Sequence, residues 1–151
     1  MIVNRQRRVP VPAQSLERFT ASAMKLLHLP AGSFTICLVT DGAMERWNRT
    51  YRGKDRPTDV LSFPSGERGS KNSQSNQGKG KNNSSAKYLG DIAIAPLVAR
   101  SNALRLGRTL EDEMCILILH GILHLMGYDH ETDTGQMDRR ERRLRRALGL
   151  A

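Results

Sequence analysis

Apolar residues along the chain alternate between helical spacing and short runs rich in β-branched and apolar side chains. Ile2 to about Val11 reads as an edge strand with basic outward positions, ended by Pro10 and Pro12. Leu16, Phe19, Ala23, Leu26 and Leu27 recur at intervals that predict a helix, with Ser15 as its cap and Pro30 and Gly32 beyond its end. The run FTICLV, residues 34–39, predicts a buried strand. Asp41 is then expected to cap a short helix through Trp47 to about Tyr51. Val60 to Phe63, closed by Pro64, and LGDIAIA, residues 89–95, read as strands flanking a loop and so as an antiparallel pair.

The rest of the chain is helical in pattern. Pro96 suits a first helical turn, and the helix it opens runs to about Leu106 before Gly107. Thr109 is placed to cap the next helix, with Glu111, Asp112 and Glu113 in the first turn, where the helix dipole favours anions. From Met114 to Met126 that helix is apolar on nearly every side, which marks a central buried element. A last helix, from about Asp133 to Leu148, puts Met137, Leu144 and Leu148 on one stripe. This order predicts an α+β fold: a single domain over residues 1–151 with a small mixed β-sheet packed by about five helices.

Residues 65–87 interrupt the pattern. Ala86 is the one apolar residue among them, too little apolar surface to offset the entropy of ordering the segment, so a disordered polar insertion is expected. Arg68, Lys71, Lys79, Lys81 and Lys87 against Glu67 give it +4 of the chain's net +9. Residues 133–147 add six arginines against Asp133, Asp138 and Glu141, a further +3. So basic a chain excludes an acidic solvating role and points to an anionic partner, nucleic acid first. Arg139, Arg140, Arg142, Arg143, Arg145 and Arg146 are candidates for backbone phosphate contacts. The single Trp, three Phe and three Tyr are too few and scattered to suggest a stacking platform for single strands. No apolar run reaches membrane-spanning length, no apolar segment near the N-terminus suits a signal peptide, and two cysteines make no disulfide framework. A cytoplasmic protein away from membranes is expected, with Cys37 and Cys115 as small buried apolar groups.

The chemistry concentrates in HGILHLMGYDH, residues 120–130. His120 and His124 are four residues apart and share one helix face, about 6 Å apart along the axis. Gly127 lets the helix stop and the chain turn back, bringing His130 toward the same point. Three imidazoles suit zinc, one ion per chain, with a fourth position left for solvent, although other divalent ions bind such a set. Two such rings on the most apolar helix would otherwise each need a buried partner. His28, before Pro30, reads as a surface or helix-end residue. The spacing is that of extended zinc-peptidase motifs, but those carry Glu after the first histidine as general base. Here Gly121 stands there, expected to leave open space beside the metal.

Together with YRGKDRPTDVLSFP, residues 51–64, and LGDIAIA, this segment resembles the YbeY family of bacterial endoribonucleases and ribosomal-RNA maturation factors. The likeness runs over almost the whole chain in the family's order. It implies a single-strand-specific, metal-dependent endoribonuclease that matures the 16S rRNA 3′ terminus and takes part in 70S ribosome quality control. It also implies rRNA precursors and the ribosome as partners, with ribosomal proteins or a ribosome-associated GTPase beside them. By position, His120, His124 and His130 are implied as metal ligands, His120 also as a catalytic residue, and Arg52 as the catalytic or RNA-contacting arginine. Its planar fork of donors matches phosphate oxygens. Residues 65–87 are longer and more polar than the connection expected of the family. Asp129 and Asp91 are candidates as acceptors fixing an imidazole tautomer, and Asp129 is equally suited to cap the turn. Thr58 and Asp59 are expected to shape their loop, and Ser62 and Phe63 either to line a substrate channel or, for Phe63, to join the core. A non-catalytic ribosome assembly factor with a structural metal is the alternative.

Overall fold

The computed structural model describes residues 1–65, 87–129 and 131–150. Residues 66–86 of the expected insertion, and His130, lie outside the described residues. The elements run β1 (Ile2–Asn4), α1 (Ala13–Leu26), β2 (Phe34–Leu38), α2 (Asp41–Arg52), β3 (Val60–Pro64), β4 (Gly90–Ile94), α3 (Pro96–Leu106), α4 (Leu110–Leu125) and α5 (Gln136–Ala147). This is the α+β domain with a small mixed sheet that the pattern predicts. Strand order is β1-β2-β4-β3, with β1–β2 and β2–β4 parallel and β3–β4 antiparallel. The register sets Phe63 opposite Asp91 and Pro64 opposite Gly90. Ser65, at the edge of the expected insertion, stays paired: its amide donates to Leu89 O at 3.0 Å and its hydroxyl to Tyr88 O at 2.8 Å.

Alternation along the strands explains the layering. Phe34, Ile36 and Leu38 of β2 and Ile92 and Ile94 of β4 enter the main core with α1, α4 and α5. The intervening Cys37, Leu61, Phe63 and Ala93 face the other way and join a smaller cluster with Met44 and Trp47 of α2. Completely buried Leu and Ile side chains each contribute about 1.5–3 kcal/mol, so the α4 face, with Ile36, Leu38, Ile92, Ile118, Leu119, Ile122 and Leu123 at 0% exposure, carries most of the hydrophobic stabilisation. Helix α4 packs on both β3 and β4 as well as on three helices, as its all-round apolarity requires. Among the described residues, no helix is long and apolar enough to cross a membrane.

Three local expectations change. The first strand stops at Asn4, because Gln6 draws the chain into a turn, donating from Nε2 to Val9 O and accepting from Val9 N, both at 3.0 Å. Helix α1 begins at Ala13 after Pro12, so Ser15 lies inside the first turn and caps nothing. Thr40, not Asp41, caps α2, its hydroxyl accepting from Ala43 N at 3.1 Å. The two helix starts shift by a few residues and the strand end by more, each where turn chemistry competes with periodicity. The caps of the later helices stand as expected: Thr109 accepts from Asp112 N at 3.0 Å, and Gly107 ends α3 in the left-handed conformation. Within the first turn of α4, Glu113 is buried and accepts from Arg108 Nη1 at 3.0 Å; burial pushes its carboxyl up while Arg108 opposes the shift.

Candidate functional site

A cleft of about 950 Å³ lies over β3, the edge strand of the sheet, and the end of α4. His120, His124, Arg52, Ser62, Asp129 and Glu131 all line it. The two imidazoles stand as their spacing predicts, ring centroids 4.8 Å apart and planes inclined by 76°. They emerge from α4 one turn apart and face the cleft, both half-buried, His120 with 28% of its side chain exposed. Helix α4 ends at Met126, and Gly127 turns the chain at φ 104°, a conformation that favours glycine. Among the described residues no three metal donors converge, and His130, the third of the predicted set, is outside them.

An acidic partner of His120 comes from an element that sequence reasoning assigned to phosphate contacts. His120 Nδ1 is 3.0 Å from Glu141 Oε1 on α5, and Glu141 Oε2 is 3.7 Å from Arg145 Nη1. A carboxylate acceptor favours the neutral tautomer with its proton on Nδ1, in which Nε2 is the nitrogen that would bond a cation. This donor set fits a divalent metal: two imidazoles share a face, and one has its tautomer fixed. Sequence reading missed Glu141 among the arginines, yet a signal existed. Met137, Glu141, Leu144 and Leu148 are spaced four, three and four residues apart, so Glu141 occupies the buried stripe of α5. Its side chain is 14% exposed.

Asp91 lies away from the imidazoles, and Asp129 makes the turn contacts that one of its two readings expects. Asp91 alternates with Ile92, so it lies on the α2 face of the sheet, where its carboxylate accepts from the Tyr88 hydroxyl. Asp129 folds the turn after α4: its Oδ1 accepts from Glu131 N at 3.0 Å and its carbonyl from Asp133 N at 3.1 Å. Asp133 then accepts from Gly135 N and Met137 N at 2.9 Å, fixing the start of α5.

Gly121 also has a different role from the one expected. A Cβ there would lie 2.8 Å from Ile92 Cγ2, so this position faces the sheet and is not what opens the space beside the histidines. The glycine lets α4 approach β4 closely, and the Ser62 hydroxyl donates to Gly121 O at 3.2 Å across the same contact. A peptidase-type glutamate at this position would point into the core.

Arg52 ends α2 at the rim of the cleft, 43% exposed, with Nη2 4.0 Å from Glu131 Oε2. So loose and exposed a pair costs little to separate. Thr58 and Asp59 also line the cleft, and Asp59 is held by Asn102 Nδ2 at 3.1 Å and by Ala95 N donating to its carbonyl at 3.0 Å. Of the α5 arginines, Arg139, Arg142, Arg143 and Arg146 are exposed, whereas Arg140 and Arg145 are half-buried, so the six do not form one even basic face. His28 is an exposed residue at the end of α1, its amide donating to Lys25 O at 3.2 Å. Burial pushes the Cys115 thiol up to about 12 and also raises that of Cys37, where Asp91 adds to the effect; neither suits a thiolate nucleophile.

The sequence profile described as endoribonuclease YbeY matches residues 1–149. An endoribonuclease YbeY of Solibacter usitatus is 40% identical over 146 residues, covering 95% of this chain and 86% of that protein. One of Koribacter versatilis is 37% identical over 150 residues, with 99% and 86% covered. The solution structure of a Thermotoga maritima protein superposes with a TM-score of 0.61 at 26% identity, over 98% of this chain and 89% of that one. A match along nearly the full length, in profile, sequence and fold, places this chain in the endoribonuclease YbeY family.

Proposed function

We propose that this protein is a zinc-dependent endoribonuclease that cleaves single-stranded ribosomal RNA, maturing the 16S 3′ terminus and acting in 70S ribosome quality control. The observation that carries this reading is one cleft that gathers His120, His124 and the exposed guanidinium of Arg52 on a chain of net charge +9. Family membership and the endoribonuclease relatives support it. His120 and His124, with His130, would hold one zinc ion per chain. When bound, the ion supplies Lewis-acid charge to the scissile phosphate. Glu141 favours the tautomer of His120 that carries its proton on Nδ1, and its own position on the buried stripe of α5 keeps that ring from swinging. Arg52 leaves Glu131 to bind non-bridging phosphate oxygens through its fork of donors, neutralising the charge that builds as the bond breaks. The exposed arginines of α5 attract the RNA backbone without reading bases. In this reading the protein works in the cytoplasm, with ribosomal proteins or a ribosome-associated GTPase as partners in delivering the substrate.

The test compares wild-type protein with His120→Ala and Arg52→Ala on an rRNA precursor, with metal content measured for each. His120→Ala loses metal and cleavage together. Arg52→Ala keeps its metal and cleaves about 10²–10³-fold more slowly, the usual effect of losing one transition-state donor. Undiminished cleavage by both variants sinks the enzymatic reading and leaves a non-catalytic assembly factor with a structural metal.

A further inference from the structure

The scattered aromatic residues are not scattered in space. Tyr51, Phe63 and Tyr88 line the same cleft as the histidines and Arg52. Strand β3 divides that cleft: Ser62 faces α4 beneath the histidines, and the next residue, Phe63, faces α2. Phe63 packs edge-on against Trp47, centroids 5.8 Å apart, and against Tyr51, 5.1 Å apart. Across the ladder from Phe63 is Asp91, which holds the Tyr88 hydroxyl; that hydroxyl is also 2.9 Å from Thr35 Oγ1. Tyr51 and Phe63 thus pack together at the edge strand, and Tyr88, its hydroxyl held over β4 and β2, lines the same cleft.

We propose that Tyr51, Phe63 and Tyr88 form a stacking wall for the bases of a single-stranded nucleic acid whose phosphate is held at Arg52, beside Tyr51 at the end of α2. The proposal rests on the RNA-cleaving reading above and extends it to the recognition of the strand. Three observations carry it. Tyr51 and Tyr88 are 59% and 42% exposed, and among the exposed large hydrophobic residues of the described part these two alone line the cleft. Neither is needed to fill the core, so their exposure is not a by-product of packing α2. Arg52 and Lys87 follow and precede them in the chain and also line the cleft, pairing each ring with a cation suited to a phosphodiester backbone. The pattern of ring faces beside cations fits an unpaired strand, whose bases are free to splay, and not a duplex, whose bases are already stacked. Ring stacking is indifferent to base identity, so the wall confers strand selectivity with little sequence preference.

The experiment measures equilibrium binding of the full-length holoprotein to short single-stranded oligodeoxynucleotides by fluorescence anisotropy, with and without abasic sites, alongside KM and kcat on the matching RNA. Tyr51→Ala and Tyr88→Ala each weaken binding of the base-bearing strand by about ten- to a hundredfold and raise KM with little change in kcat. Tyr51→Phe and Tyr88→Phe restore it. Abasic strands bind wild type and alanine variants alike, a result that loss of structure alone would not produce. Equal binding of duplex and single strand, or alanine variants that bind base-bearing strands as wild type does, overturns the stacking wall. If those variants nevertheless cleave RNA normally, the nuclease reading survives without the wall. If the strands bind as expected and no form of the protein cleaves RNA, the wall survives and the nuclease reading falls.

Discussion

The two helices that meet at the histidines are opposites in composition. After Glu113, α4 has no Asp, Glu, Lys or Arg through Leu125, whereas α5 carries charges at eight of its twelve positions. In α4 a polar ring is an anomaly, because desolvating it costs free energy unless a partner compensates. In α5 a carboxylate looks like one more member of a solvated charge pattern. Yet the contact between them, His120 with Glu141, joins a residue from each. What makes a functional side chain conspicuous is its background, and what makes it effective is its burial.

The contrast breaks most severely at Gly121, where α4 touches the sheet. Gly121→Glu inserts a charged side chain where even a Cβ lies 2.8 Å from Ile92 Cγ2. Overpacking and an unpaired buried carboxylate together cost about 3 kcal/mol or more, enough to leave a large unfolded fraction in thermal and urea denaturation. Gly121→Ala shows a smaller loss, since the better helix propensity of alanine returns about 1 kcal/mol. A glutamate variant that melts with wild type would mean that this face of α4 is free to turn away from β4.

Glu141→Ala sharpens the comparison at the helix contact itself. Without a fixed acceptor on Nδ1 the His120 ring loses its tautomer and orientation, and metal affinity measured by competition with a chelator falls about 10–100-fold. Glu141→Gln, which keeps an acceptor oxygen but no charge, falls between. Unchanged affinity in the alanine variant removes the positioning role and leaves Glu141 as a partner of Arg145 alone.

Much of this arrangement was readable before any coordinates. Pro96, Gly107 and Thr109 mark helix ends because each acts through its own backbone chemistry, and the β3–β4 pairing follows from two strand-like runs facing each other in sequence. His120 and His124 were legible because α4 makes them costly. Asp91 was misplaced because a one-residue step along a strand changes the face, and only the register tells which face α4 covers. The shared aromatic lining escaped notice because Tyr51, Phe63 and Tyr88 come from three separate segments, and nothing local announces that one cleft gathers them. Gly121 was assigned to the site for want of the distance to Ile92.

Within α5 the same comparison can be made between two acids. Asp138 and Glu141 both pair with an arginine four residues on, but Asp138 and Arg142 are 60% and 64% exposed, against 14% for Glu141. The hydrogen bond from Arg142 is the main reason that the Asp138 carboxyl lies below its usual range. A depressed value means a stabilising contribution present above the ordinary aspartate range and lost as pH falls through the folded-state value. Since the pair sits in water, that contribution is screened by salt and offset by the entropy of fixing two side chains. Asp138→Asn therefore leaves Tm at neutral pH within error and metal affinity unchanged, and its small difference from wild type disappears in acid. Should Asp138→Asn weaken metal binding as much as Glu141→Ala does, burial would not be what separates the two carboxylates, and the buried stripe of α5 would lose its special standing at the site.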